Sequence, residues 1–183
     1  SGLQKDGQDL KFQLLVPNDD LSVVLGEIAV EDWGQLGINA VLQTVEPDIL
    51  KEEHLDTREF QAIMIDLSLQ RTPDPDPYPF WHQTEIESGQ NYSGYDNRII
   101  SEYLEQARTT PSISARTGLY HMFQKRFVDD TPALLVYHPV YSYVTNKVVN
   151  GVHMGPIIEP SDRFNGIANW YIVIRRVVGR LTN

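Results

Sequence analysis

The sequence predicts an α/β domain, a mixed sheet with parallel core strands and helices on both faces. Three observations carry this prediction. The chain opens on a β-α-β pattern, a nearly continuous apolar run of strand length follows (FQAIMIDL, residues 60–67), and two capped amphipathic helices come after a proline loop. With 183 residues and 41% hydrophobic content, the chain is long enough for one domain with a proper core, and a single domain over 1–183 is expected.

Residues 10–16 alternate Phe12, Leu14 and Val16 against Lys11 and Gln13, the period of a strand with one buried face. From Leu21, the apolar positions Leu25, Ile28, Ala29, Trp33 and Leu36 recur at helical spacing. Asp19 or Asp20 caps the start, and Gly37 sits where a helix end needs a left-handed residue. Residues 38–45 then read as a second strand, parallel to the first through a right-handed crossover. Pro47 and Asp48 start a short helix to about Leu55. The run 60–67 reads as a central strand buried on both faces, and it delivers the chain into RTPDPDPYPFWH. There Pro73, Pro75 and Pro77 alternate with Asp74 and Asp76, which fixes φ at every second residue and removes amide donors. Open α/β sheets bind ligands beyond the carboxyl ends of their strands, where this stiff loop falls.

After the loop, Asp96 caps a helix carrying Ile100, Tyr103, Leu104 and Ala107. Ser112 or Ser114 caps another carrying Leu119, Phe123 and Phe127, and Thr131-Pro132 stops it. Residues 133–138 and 141–145 read as strands separated at Pro139, and Asn150-Gly151 marks a turn. Residues 156–183 form a weakly patterned tail whose one apolar run is 170–174.

A net charge of −10 disfavours nucleic acid and anionic membrane surfaces as partners, since the one basic run, Arg175, Arg176 and Arg180, is short and mixed with valines. The absence of cysteine excludes disulfides, thiolate catalysis and cysteine-ligated zinc, and is compatible with bacterial export. No stretch reaches the roughly 18 apolar residues of a membrane span. The opening Ser-Gly-Leu reads as part of a longer chain whose targeting sequence would precede it.

Asp66, Asp74, Asp76, Glu85 and Glu87 make a carboxylate-rich neighbourhood that fits an acid/base pair, a calcium site or a solvated loop. The EF-hand glycine and twelfth-position glutamate are missing, and His54, His82, His121, His138 and His153 have no short ligand spacing, so no metal is expected. A hydrolase reading would need two carboxylates about 5 to 9 Å apart across a bond, and it remains the alternative function. GxSxG, GxxxxGK[ST] and GxGxxG are absent from the sequence; neither an enzyme nor a cofactor is expected. Tyr78, Phe80, Trp81, Tyr92 and Tyr95 crowd the loop and either stack on a solute or pin the loop to the core. A purely structural interaction domain is favoured if these rings are buried and no cleft surface remains.

The run FQAIMID followed by PDPDPYPFWH, then GQNYSGYDNRIISEYLEQAR, ARTGLYHMFQKRFVDDTPALLVYHP, YSYVTNKVVNGV and DRFNGIANWY, together with the opening KDGQDLKFQLLV and WGQLGINAVLQ, closely resembles the C-terminal lobe of the family 5 extracellular solute-binding proteins. These are peptide, nickel and oligosaccharide receptors of bacterial ABC importers, and the resemblance spans nearly the whole chain. It implies one lobe of a type II periplasmic-binding-protein-like receptor that closes on its solute by a hinge, with a missing N-terminal lobe supplying the rest of the cleft. It also implies a membrane permease as partner, a periplasmic or extracellular location with a membrane anchor in the full-length protein, and a tail from Trp170 that crosses back to the other lobe. Candidate ligand contacts are Ser68, Gln70, Arg71, Asp74, Trp81, Asn91 and Tyr92. Ser68 and Gln70 would donate hydrogen bonds, and Trp81 or Tyr92 would stack; Asp74 braces the loop or meets the solute. Peptide-binding members carry a carboxylate three residues before the DPD-like motif to receive a free amino terminus. Here that position is Arg71, which disfavours free-amine peptides and favours solutes with acceptors.

Overall fold

The computed structural model describes residues 4–5, 8–68, 75–155, 157 and 159–174. The chain divides into two compact units, residues 1–69 with 76–132 and residues 70–75 with 133–183.

The first unit is built on a parallel sheet. Strand β3 (Lys11–Pro17) pairs with β4 (Asn39–Val45) from Lys11↔Asn39 to Pro17↔Val45, and with β5 (Ala62–Ile63) at Leu14↔Ala62 and Leu15↔Ile63, giving the order β4-β3-β5. A small antiparallel ribbon, β1 (Gln4–Lys5) with β2 (Gln8–Asp9), precedes it. The α/β class and the parallel core are as the sequence predicts; antiparallel pairing among the described residues is confined to two-stranded ribbons.

Helix α1 (Asp20–Gln35) is the crossover between β3 and β4. Asp19 caps it by accepting the Leu21 and Ser22 amides at 3.1 and 3.0 Å. Gly37, with φ of 82°, ends it, its amide donating to the Gly34 carbonyl while that of Ile38 reaches Trp33. The helix lies against one sheet face, where Trp33 meets Phe12 edge-on at 5.3 Å. Gly26 permits the close approach, because a Cβ there would stand 2.6 Å from Leu42 Cδ1 and 3.0 Å from Val16 Cγ1. On the other face, Leu15, Val45 and Leu50 form a buried cluster flanked by Phe60 and Ile63. Leu50 comes from the helical segment α2 (Pro47–Ile49), which continues as a π-helix over Leu50–Leu55 closed by the Asp56 amide on the Lys51 carbonyl. Helices therefore cover both faces. Burying Leu14, Leu15 and Val16, each under 5% exposed, contributes roughly 1.5–3 kcal/mol per side chain.

The run 60–67 departs from expectation. Two of its residues join the ladder, one further amide, that of Met64, reaches Leu15, and among the described residues the strand is an edge rather than the centre. Helix α3 (Tyr78–Trp81) follows the proline loop, then α4 (Arg98–Thr109) and α5 (Ile113–Asp130). Asn97, not Asp96, caps α4 through the Ile99 and Ile100 amides, and Ser112 caps α5 through Ala115. Ile100, Leu104 and Ala107 of α4 are buried, as are Phe123 and Phe127 of α5, the periodicity having marked the right faces.

In the second unit the predicted strands at 133–138 and 141–145 carry no ladder, and Leu134, Leu135, Val140 and Val144 are 65%, 67%, 88% and 87% exposed. A run of strand-like composition does not make a strand without a partner edge to donate to. Strand β6 (Val149–Asn150) pairs antiparallel with β7 (Tyr171–Ile172), the turn falling before β6 at residues 147–148 and not at Asn150-Gly151; Gly151 has a φ of 77°, and its Cβ would collide with the Asn169 carbonyl. Tyr143, Phe164 and Trp170 group together with centroids 6.0–6.4 Å apart. The tail beyond residue 174 lies outside the described residues.

Candidate functional site

At the carboxyl end of the sheet, β3 and β4 are tied by the Asn18 amide on the Val45 carbonyl at 2.9 Å and by Asn18 Nδ2 on Glu46 Oε1 at 2.6 Å. From the same end of β5 the chain runs to Ser68, which is exposed. Gln70, Arg71 and Asp74 lie outside the described residues. The chain is described again from Pro75, and Asp76 is anchored at once. Asp76 Oδ2 accepts Arg108 Nε and Nη2 at 2.8 and 2.6 Å, and Oδ1 accepts the Tyr78 amide at 3.1 Å.

Behind Asp76 stands a layered stack. The Arg108 guanidinium lies 3.7 Å from the Tyr78 ring centroid, and Tyr78 stacks on His82 at 4.0 Å and 11°. His82 is 2% exposed. Its Nδ1 accepts the Thr84 amide, so the proton sits on Nε2 and is donated to Glu105 Oε1 at 3.0 Å. That hydrogen bond, with Arg98 adding to it, holds the Glu105 carboxyl below the usual carboxylate range.

Trp81 and Asn91 both face inward, which for Trp81 is the anchoring role that the sequence left open. Trp81 is 9% exposed and meets Phe127 edge-on at 4.6 Å, so it pins α3 to α5 instead of stacking on a solute. Asn91, 1% exposed, is a hydrogen-bond hub. Its Nδ2 donates to the His82 and Tyr95 carbonyls at 3.1 and 2.9 Å, and its Oδ1 accepts the Tyr95 amide and the Ser93 hydroxyl, both at 3.1 Å. With its amide donors and carbonyl acceptor all engaged, it has nothing left to offer a ligand. Tyr92 is half-buried and carries the Arg58 guanidinium 4.4 Å above its ring. Arg58, with φ of 62°, occupies the left-handed region that an arginine rarely adopts. The two residues share a cleft of about 200 Å³ with Phe60 and Ile86. A larger depression, about 380 Å³, is lined by Lys11, Phe12, Gln13, Val41 and Gln61 at the opposite, amino ends of β3 and β4. We place the candidate site at the carboxyl ends, because that is where connecting loops can be shaped around a ligand without disturbing the ladder.

Arg108 and Arg58 were not legible as site residues in the sequence. Arg108 had one signal, a lone cation in the last turn of α4 with an acidic loop upstream to receive it; Arg58 had none. A further network joins α4 to α5, where the Tyr95 hydroxyl donates to Asp130 Oδ2 at 2.6 Å beside Asn97 and Arg126. Burial, then the bond to Asp130, pushes the Tyr95 phenol up to about 12. A folded-state value above the ordinary 10 means that this contribution to stability is complete below pH 10 and is lost as pH rises towards 12. Tyrosinate absorbance should accordingly show a phenol ionising near pH 12. In Tyr95→Phe that step should vanish; its persistence would assign the phenol elsewhere.

No family model matches the chain. In sequence it is similar to the dipeptide-binding protein of Escherichia coli (strain K12), 26% identical over 135 residues that make up 73% of this chain and 25% of that protein. In fold it is similar to the oligopeptide-binding protein AppA of Bacillus subtilis, solved with a nonapeptide, at a TM-score of 0.71 and 21% identity over 94% of this chain and 34% of that one. It is similar also to MppA, a periplasmic murein tripeptide binding protein solved in an unliganded open form, at a TM-score of 0.63 and 21% identity over 93% of this chain and 32% of that one. The chain thus spans about a quarter of the curated relative it matches. The resemblance to solute-binding receptors read from the sequence holds, and the fold is theirs.

Proposed function

We propose that the chain is one lobe of the solute receptor of a bacterial ABC importer, holding a small solute in a cleft completed by an N-terminal lobe and passing it to a membrane permease. One observation carries this reading: the similarity to a dipeptide-binding protein runs over 73% of a chain whose fold is also that of an oligopeptide receptor. The role is binding, not catalysis. The hydrolase alternative rested on paired acidic residues, and one of them, Asp76, has both oxygens taken by Arg108 and a backbone amide. The full-length receptor is periplasmic or extracellular and membrane-anchored; among the described residues no helix is long and apolar enough to cross a membrane.

Ser68, Gln70, Arg71 and Tyr92 are the contacts we assign to the solute, with Asp74 bracing the loop. The exposed apolar side chains of Leu134, Leu135, Val140 and Val144 fit a surface that the N-terminal lobe covers in the whole receptor. Arg71 sets the solute class. A cation where peptide receptors place a carboxylate repels an ammonium group and attracts carbonyl, hydroxyl or carboxylate oxygens.

A thermal-shift screen of the full-length receptor against dipeptides, oligosaccharides and metal chelates tests this. A solute present at about 100 times its Kd should stabilise the folded state by about 2.7 kcal/mol. The expected stabilisers carry acceptors and no free amine, and Arg71→Asp should gain dipeptide binding. Tight dipeptide binding by the unaltered receptor would refute the assignment of Arg71.

A further inference from the structure

We infer that the cleft beside Arg58 is a second binding site, shaped for a small carboxylate with an apolar body. It goes beyond the receptor reading and does not depend on it. Arg58 sits in the turn before β5 with φ of 62°, in the left-handed region where a residue with a Cβ is strained and glycine is not. Strain of this kind persists only where surrounding contacts hold it, and it concentrates at ligand clamps. Two contacts hold it here. Nη2 of Arg58 donates to the Gly89 carbonyl, and the guanidinium lies 4.4 Å from the centroid of the Tyr92 ring. They fix the group in place, yet neither brings a full negative charge to it.

The rest of the guanidinium is unmatched. Nε and Nη1 are buried, and among the described residues neither has a hydrogen-bond acceptor. Three N–H bonds, one on Nε and two on Nη1, are left with nothing to receive them. Arginine is almost never buried without a partner, because a guanidinium is always charged and its lost hydration has to be replaced. An oxyanion is the group that replaces it, through charge-assisted hydrogen bonds. The walls narrow the choice further. Phe60, Ile86 and Tyr92 line the cleft, so the ligand carries apolar surface behind its carboxylate. A volume of about 200 Å³ lies below the roughly 300–1,000 Å³ of drug-sized pockets, which sets the ligand at the scale of a single ring. Asn91 also borders the cleft, but its amide is engaged within the 91–95 turn. These lining residues belong to turns and connections, not to helix or ladder, so the side chains over Nε and Nη1 can move aside without breaking secondary structure. Tyr92 is common to this cleft and to the solute contacts proposed above, and the test therefore turns on Arg58, which that reading does not use.

The probe is benzoate, titrated calorimetrically into the full-length receptor. Benzamide serves as its uncharged counterpart and inorganic sulfate as an anion without an apolar body. Benzoate should bind at one site, with benzamide and sulfate each weaker by about tenfold or more, the factor that one charge-assisted contact supplies. Arg58→Gly should weaken benzoate by about tenfold or more in a receptor that stays folded, since glycine takes φ of 62° without strain. Arg58→Gln should show the same loss and serves if the glycine variant does not fold. No heat of binding at millimolar benzoate, benzamide as tight as benzoate, or parent-like benzoate affinity in a folded Arg58 variant would each overturn the site. Sulfate as tight as benzoate would mean an adventitious ion only. Arg71→Asp alters the proposed solute site and should leave benzoate affinity unchanged. If Arg71→Asp abolishes benzoate binding and Arg58→Gly does not, benzoate occupies the solute site; the second site then fails while the receptor reading stands.

Discussion

Replacing Trp81 by alanine is expected to destabilise the fold by about 3–5 kcal/mol, the range for removing a buried large aromatic side chain. The indole is 9% exposed and sits edge-on to Phe127 at 4.6 Å, which in turn lies 5.8 Å from Phe123. It is the contact by which the short helix after the proline loop is joined to α5, and neither α3, at four residues, nor its neighbouring turn would hold its place by backbone hydrogen bonds alone. Against a typical total of about 5–15 kcal/mol, such a loss is large. Trp81→Phe keeps a ring for Phe127 to meet and should cost less, about 1–2 kcal/mol. Denaturant unfolding of the full-length receptor measures both. The same variants separate the two roles the sequence left open for this residue. As an anchor, Trp81→Phe leaves the solute affinity of the folded protein near that of the parent; a stacking platform would lose affinity with little change in unfolding midpoint.

What the sequence revealed and what it concealed divide along one physical line. Features fixed by neighbours in the chain were legible: the β-α-β opening, the Asp19 cap, the left-handed Gly37 and the buried face of α4 all depend on residues a few positions apart. Features that depend on a distant partner were not. The apolar run 60–67 has the composition of a central strand, but only two of its residues share a ladder with β3 among those described. Residues 133–138 have the composition of a strand, yet a strand exists only where another edge accepts its amides. The candidate site shows the same division. Sequence could not tell that Trp81 and Asn91 turn inward, because burial is set by what packs on them. Asp96 and Asn97 are both good caps, and only the backbone conformation, extended at Asn97 with φ of −138°, decides between them.

Asn91 gives the second large effect. Asn91→Ala is expected to cost about 2–4 kcal/mol, since it removes one hydrogen-bonded side chain and leaves the partly buried Tyr95 amide and the His82 and Tyr95 carbonyls short of partners. The turn from Asn91 to Tyr95 passes through Gly94 at φ of 65° and leads directly into the cap of α4, so the loss reaches the start of that helix. Asn91→Asp is the sharper test. The aspartate keeps an acceptor for the Tyr95 amide, but its second oxygen faces the His82 and Tyr95 carbonyls at the 3.1 and 2.9 Å where the amide nitrogen donated. A buried carboxylate opposed to two carbonyl oxygens favours its protonated form, which raises its folded-state pKa above the unfolded value of about 3.9. Stability is then greatest below about pH 4, where the group is protonated in both states, and it falls as pH rises. Relative to the parent, Asn91→Asp should be more damaging than Asn91→Ala at neutral pH and should recover most of the difference on acidification, followed by urea midpoints from pH 7 down to about pH 4. A residue that faced solvent in a solute cleft would show the reverse, with the charged aspartate tolerated at neutral pH and the cost appearing in binding instead.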